Sequence, residues 1–237
     1  MTTIRRNTAQ QGFTLVELMV TIVISAIICG VIYSTYSTYV QHYVAQRAIV
    51  EMQENVRAAL SLMADEIRMA GYNPKGSSAA AIVSATRTSL SFTKDTTDAT
   101  GTATDGDGNL DGPFENLTFG FVPGTDVSPA TPDCIADSGA APLTVTTGGS
   151  QITIANDISA IEFNYHLEDG TRSTEPAKPK DIRAVTISIL ARTENEDRGY
   201  SDQKTYIADS GRVWGPFSDN YRRRLLVATV FCRNMGL

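Results

Sequence analysis

In this chain the carboxylate most able to act is Glu17, the single charge in the apolar run FTLVELMVTIVISAIICGVIY, Phe13–Tyr33. An ionised group inside an apolar stretch is costly and needs a partner, so Glu17 is a functional candidate by default. Near the end of that stretch it could instead snorkel to an interface. A second set of oxygen donors stands at Asp105, Asp107, Asn109 and Asp111, with Gly106 and Gly108 between the first three. Alternating donors and glycines have the form of the opening of a calcium-binding loop. The pattern is incomplete, because Leu110 holds the sixth position, where glycine is expected, and Asn116 the twelfth, where a glutamate is expected. Asp95 or Glu115 could add a carboxylate if the loop folds back. The competing reading is a polar turn rich in Asp, Asn and Gly. Calcium is the one cofactor that the residues suggest.

Three cysteines are present: Cys29 within the apolar run, and Cys134 and Cys232 in the polar remainder. If that remainder lies in an oxidising compartment, a Cys134–Cys232 disulfide is permitted, and two separate thiols are the alternative. The two histidines, His42 and His166, leave little material for a His-based metal or acid–base site. There is no G-x-S-x-G elbow, no H-E-x-x-H and no phosphate-cradling glycine loop, so no catalytic set emerges and an enzyme is not expected.

The elements that must position these residues fall into three regions. Residues 1–12 (MTTIRRNTAQQG) are short, polar and basic. Residues 13–70 read as one helix, with no proline and with Gly30 as the sole glycine. Its first part matches the ~20 residues needed to cross a hydrocarbon core. Arg5 and Arg6 just before it place the N-terminus in the cytoplasm and the body outside. Tyr36, Tyr39 and Tyr43 around His42 fit an aromatic belt at the interface.

In the second part apolar residues recur at three and four: Ile49, Met52, Val56, Ala59, Leu60, Met63, Ile67 and Ala70. That is one face of an amphipathic helix covering a core. Gly71 suits a left-handed cap, and Pro74 cannot continue the helix. A continuous helix of this length would reach about 85–90 Å, so half of it should protrude from the body.

Beyond Pro74 the period is two. Strands are expected over 81–85, 89–93, 116–122, 143–147, 151–156, 160–167, 182–192 and 224–232, with long loops at 96–112, 123–141 and 170–180. Short strands between Gly/Asp/Pro-rich turns imply an α+β fold: the C-terminal half of the long helix packed on one face of an antiparallel sheet. The formal charge is −6, although the only charges before Gly12 are Arg5 and Arg6. So acidic a body argues against a nucleic-acid surface. The triplet Arg222-Arg223-Arg224 reads as a solvated strand end.

The stretch QQGFTLVELMVTIVIS (Gln10–Ser25) resembles the type IV prepilin signal: basic leader, Gly, Phe, Glu, then an unbroken apolar span. A secretory signal peptide would instead be cut after its apolar region. The resemblance implies processing between Gly12 and Phe13 by a prepilin peptidase, N-methylation of Phe13, and pairing of Glu17 with the terminal amine of a neighbouring subunit.

ENVRAALSLMADEIRMAGYNP (Glu54–Pro74), SLSF, DISAIEFNY, DIRAVTISILART and RRRLLVATVFCRN resemble the helix end and strands of PilW-type minor pilins. Where major pilins often carry a helix-breaking proline, this sequence reads Gly30-Val31-Ile32-Tyr33-Ser34, so local melting of the helix does not carry over. The resemblance implies a leader at 1–12, a transmembrane and protruding half-helix at 13–44, and a periplasmic body at 45–237. It implies a minor pilin in a bacterial inner membrane and then in a pilus, with other pilins and an inner-membrane assembly platform as partners. A minor pseudopilin of type II secretion and an adhesive filament-tip subunit are the alternatives.

Overall fold

A computed structural model describes residues 12–101, 106–121 and 134–236. The chain comprises two units, residues 1–47 and residues 48–237. Helix α1, Leu15–Arg68, is continuous through Gly30 and supplies the helical part of both.

In the first unit the apolar side chains of α1 are exposed from Leu15 to Val44. Thr21, Thr35, Ser37 and Thr38 turn their hydroxyls onto helix carbonyls three or four residues back, at 2.8–3.0 Å. Each hydroxyl is thereby satisfied without water. By length and composition the helix is able to cross a membrane.

In the second unit Met52, Val56, Ala59, Leu60, Met63 and Ile67 are buried, and Ile49 and Ala64 pack at their margin. This is the face expected from the three-and-four spacing. The helix stops because Gly71 takes a φ of +78°, in the left-handed region, and donates its N–H to the Thr93 carbonyl at 2.9 Å. A Cβ there would meet Met235 Sδ at 2.8 Å. Asn234 Nδ2 caps the helix from outside, donating to the Arg68 carbonyl at 3.2 Å. Lys94 and Glu66 join the end of the second strand to the helix.

Among the described residues ten strands follow: β1 (Ile82–Ala85), β2 (Ser89–Thr93), β3 (Asn116–Gly120), β4 (Ala141–Thr147), β5 (Ser150–Leu167), β6 (Arg172–Ser173), β7 (Ile182–Arg192), β8 (Tyr206–Ile207), β9 (Val213–Trp214) and β10 (Arg223–Phe231). Eight form one antiparallel sheet in the order β1-β2-β3-β4-β5-β7-β10, with β6 added to β5. β8 and β9 make a separate hairpin.

The two strands expected at 151–156 and 160–167 are one strand of 18 residues. Asp157 carries a φ of +58°, and the register with β4 slips between Ala155, opposite Leu143, and Ile158, opposite Ala141. Asn156-Asp157 is therefore a bulge inside a strand and not a turn between two.

The sheet sorts its side chains by parity. Ile161, Phe163, Tyr165, Val185, Ile187 and Ile189 face the helix and form the main core with it. On the opposite face Ala160 and Leu190 gather Cys134, Ala208 and Trp214 into a second, smaller cluster. Thr186 and Ser188 are buried there as well. The middle of the sheet is thus buried on both faces.

Candidate functional site

The N-terminal constellation is built by the helix start. Gly12 and Phe13 precede α1 in non-helical, exposed backbone, and Phe13 is 86% exposed. Thr14 is the cap: its carbonyl accepts from Leu18 N–H at 3.2 Å and its Oγ1 from Glu17 N–H at 3.3 Å. Thr14-x-x-Glu17 is the spacing of a capping box, a signal that the sequence reading passed over. Glu17 thus sits in the first helical turn, where the free N–H groups and the helix dipole favour a carboxylate. Among the described residues the Glu17 carboxylate has no ion-pair partner. An anion fixed at a helix start, on a rod of exposed apolar side chains, can accept a cation from another chain.

Of the calcium residues, Asp105 lies outside the described residues. Asp107 Oδ1 accepts from the Asn109 backbone N–H at 2.8 Å, and its Oδ2 from Asn109 Nδ2 at 3.3 Å, while Asp111 is exposed. Among the described residues no three His, Cys, Asp or Glu side chains group as metal ligands.

Asp95 and Glu115 do fold back, but onto the backbone. Asp95 accepts from Asp107 and Gly108 N–H at 3.0 and 3.1 Å. Glu115 accepts from the N–H groups of Thr96, Thr97 and Gly112, each at 2.8 Å, and from Thr97 Oγ1 at 3.2 Å. Both carboxylates are fully buried. Asp95, Asp107 and Glu115 thus turn their carboxylate oxygens to hydrogen-bond donors of the loop itself.

The sulfurs of Cys134 and Cys232 are not joined to each other, so the disulfide considered above is not formed in this arrangement. The reason is topological: Cys134 belongs to the smaller cluster and Cys232 to the helix-side core. Burial pushes the Cys232 thiol up to about 12.

The segment 193–222, with its β8–β9 hairpin, is held on the sheet by polar side chains that sequence reasoning left unassigned. Arg223, expected at a solvated strand end, is buried. It binds Asp219 through two nitrogens at 2.6 Å each, reaches Asp202 Oδ2 and Ser159 Oγ at 3.2 Å, and lies 3.9 Å over the Phe217 ring. Hydrogen bonds from Arg223 hold the Asp219 carboxyl below the usual range. Asp202 also accepts from the hydroxyls of Tyr200 and Tyr206. Burial, with Asp202 beside it, raises the Tyr206 phenol far above its ordinary value.

Arg222 pairs with Asp197 and covers Tyr200, whereas Arg224 is exposed. Buried Glu162 accepts from Arg212 Nε at 3.0 Å. His166 Nε2 lies 2.7 Å from Thr186 Oγ1 as part of the sheet, and burial lowers its pKa. These groups pair with one another. A strand-end Arg triplet downstream of Asp197, Asp202 and Asp219 was the available signal.

Residues 7–33 match the prokaryotic N-terminal methylation motif, and residues 144–234 match type IV pilus-assembly protein W. The second match runs from β4 past the end of β10. A type IV-like pilin from Thermus thermophilus has a similar fold, with a TM-score of 0.52 at 15% identity. The alignment covers 79% of this chain and 100% of that one. Comparison with curated protein sequences gives no significant match. Motif, matched region and fold agree: the chain has an N-terminus similar to the prokaryotic N-terminal methylation motif, a region at 144–234 similar to type IV pilus-assembly protein W, and a type IV pilin-like fold.

Proposed function

We propose that this chain is a non-enzymatic filament subunit that primes, caps or sparsely populates a type IV pilus. It is cut between Gly12 and Phe13 by a prepilin peptidase and waits in the bacterial inner membrane, N-terminus cytoplasmic and body periplasmic. An inner-membrane platform then assembles it with other pilins through the first half of α1. The observation that carries this reading is Glu17: a carboxylate without an ion-pair partner among the described residues, fixed in the first turn of an exposed apolar helix. The new terminal amine of an adjacent subunit would supply the opposite charge. A pilus is favoured over a secretion pseudopilus by the matched region at 144–234, whose description is a pilus-assembly protein.

Glu17→Leu tests it. Leucine favours membrane residence, so insertion and processing should stay normal while incorporation falls at least about tenfold, roughly the loss of one charge pairing. Immunoblots of sheared filaments and membranes measure both. Wild-type amounts of the variant in filaments would refute the assembly role.

A further inference from the structure

The sheet ends in an open edge at β10. Its register with β7 is unbroken from Arg223↔Arg192 to Phe231↔Ala184. Two flanking bonds fix which residues face inward: Thr193 N–H donates to the Arg222 carbonyl, and Cys232 N–H to the Arg183 carbonyl, both at 2.9 Å. In an antiparallel ladder the bonded residues alternate. The even-numbered residues 224, 226, 228 and 230 therefore bond to β7. Leu225, Val227, Thr229 and Phe231 direct their N–H and C=O groups away from the sheet, and among the described residues no backbone group meets them.

Edges of this kind are normally blunted by charge, proline, a bulge or shortness. From Leu225 to Phe231 the edge reads LLVATVF and has none of these: it carries no charge, no proline, no glycine and no bulge. Two of its side chains are large, apolar and open, Val227 at 49% and Phe231 at 69% exposure. Charge is confined to the two ends, at exposed Arg224 and exposed Arg233.

We propose that β10 is a docking edge that takes one extended strand from a different chain, apolar through its middle and acidic at both ends. Such a strand would satisfy the outward backbone groups and cover Val227 and Phe231, the mode of recognition in which main-chain bonds give affinity and side chains give specificity. The arginines select the partner. A second copy of β10 paired antiparallel would bring the Arg224 end of each strand beside the Arg233 end of the other, and like charges brought together oppose that pairing. Acidic ends convert the same positions into ion pairs.

The test is backbone amide exchange, read residue by residue by NMR on the full chain in detergent micelles. The probe is a synthetic strand of alternating Val and Thr with Asp-Glu at both ends, and the control is the same strand with Lys-Lys ends. In the free chain Leu226, Ala228 and Val230 should exchange slowly, and Val227, Thr229 and Phe231 fast. The acid-ended peptide should slow the outward amides about tenfold or more while the lysine-ended one leaves them unchanged. Val227→Pro removes an outward N–H that β7 does not use, so it should abolish the slowing and leave Leu226 and Val230 protected. If it also unfolds the strand, Val227→Lys, which places a charge on an exposed side chain outside both apolar clusters, takes its place with the same expectation. Outward amides that are already slow in the free chain would overturn the proposal, as would equal response to the two peptides or no response to either.

Discussion

Glu115 is a residue whose sequence position suggested one chemistry and whose contacts perform another. It was a candidate to complete an ion site; it holds together the backbone on both sides of the 96–112 loop. Hydrogen bonds to a charged acceptor contribute roughly 1.5–3 kcal/mol each, so Glu115→Ala should cost at least about 3 kcal/mol in chemical denaturation. Because the carboxylates of Asp95, Asp107 and Glu115 already accept from the loop, the parent should melt at the same temperature in millimolar calcium and in EDTA. A higher melting temperature in calcium would restore the ion.

Arg223 makes the complementary case. Arg223→Met strands Asp202 in the interior, and uncompensated buried charges of this kind cost about 3–5 kcal/mol. The Asp219 carboxyl, held low by Arg223, contributes stability that is present above the ordinary carboxylate range near 4 and is lost as pH falls through its lower folded value. In Arg223→Met that acid-side loss should shrink, which denaturation midpoints between about pH 2 and 6 would measure.

At the scale of elements, α1 and the strands β2 and β7 stand where periodicity placed them, because apolar spacing reports burial directly. The seven residues from Met52 to Ala70 in the expected face are all buried. Legibility failed where polar chemistry decides. Asn156-Asp157 looks like a turn and is a bulge, since the pairing of β5 with β4 and β7 outweighs the local preference. The hairpin β8–β9 has two-residue strands, too short to carry a period, and is seated by Trp214 and the Arg223–Asp202–Asp219 set. The helix cap at Thr14 was written in the sequence as T-x-x-E, and Glu17 was weighed for its charge alone.

The thiols illustrate the same limit. Cys134 and Cys232 are close enough in type and compartment to invite a bond, and only the sheet that separates them excludes it. Alkylation of unfolded, non-reduced protein should therefore label both, and in the folded state Cys232 should react slowly because its thiolate is disfavoured. Recovery of a linked Cys134–Cys232 peptide by mass spectrometry would contradict this arrangement.

For the whole molecule, the two units divide the work of residing in a membrane and of folding in water. Among the described residues most of the exposed large apolar side chains lie before Arg47, and residues 48–237 enclose both apolar clusters. A chain beginning at residue 45 should therefore be soluble and fold cooperatively without detergent. It should also be monomeric, since the arginines at the ends of β10 oppose self-pairing. Light scattering and circular dichroism would check this, and aggregation or loss of the strand spectrum would show that the first unit is needed for folding.

The place where α1 begins also bears on how the chain could be cut. Endopeptidases bind their substrates extended, and a scissile bond inside a helix has to be unwound first, with the loss of several backbone hydrogen bonds. The Gly12–Phe13 bond lies just ahead of the first such bond, the one from Leu18 to Thr14. Hydrolysis there would leave every turn of the rod intact and a single residue, Phe13, standing free of it. A membrane enzyme could then add methyl groups to that amine without disturbing the helix behind it. The cap at Thr14 would serve as a ruler, setting the length of the loose end that both reactions need.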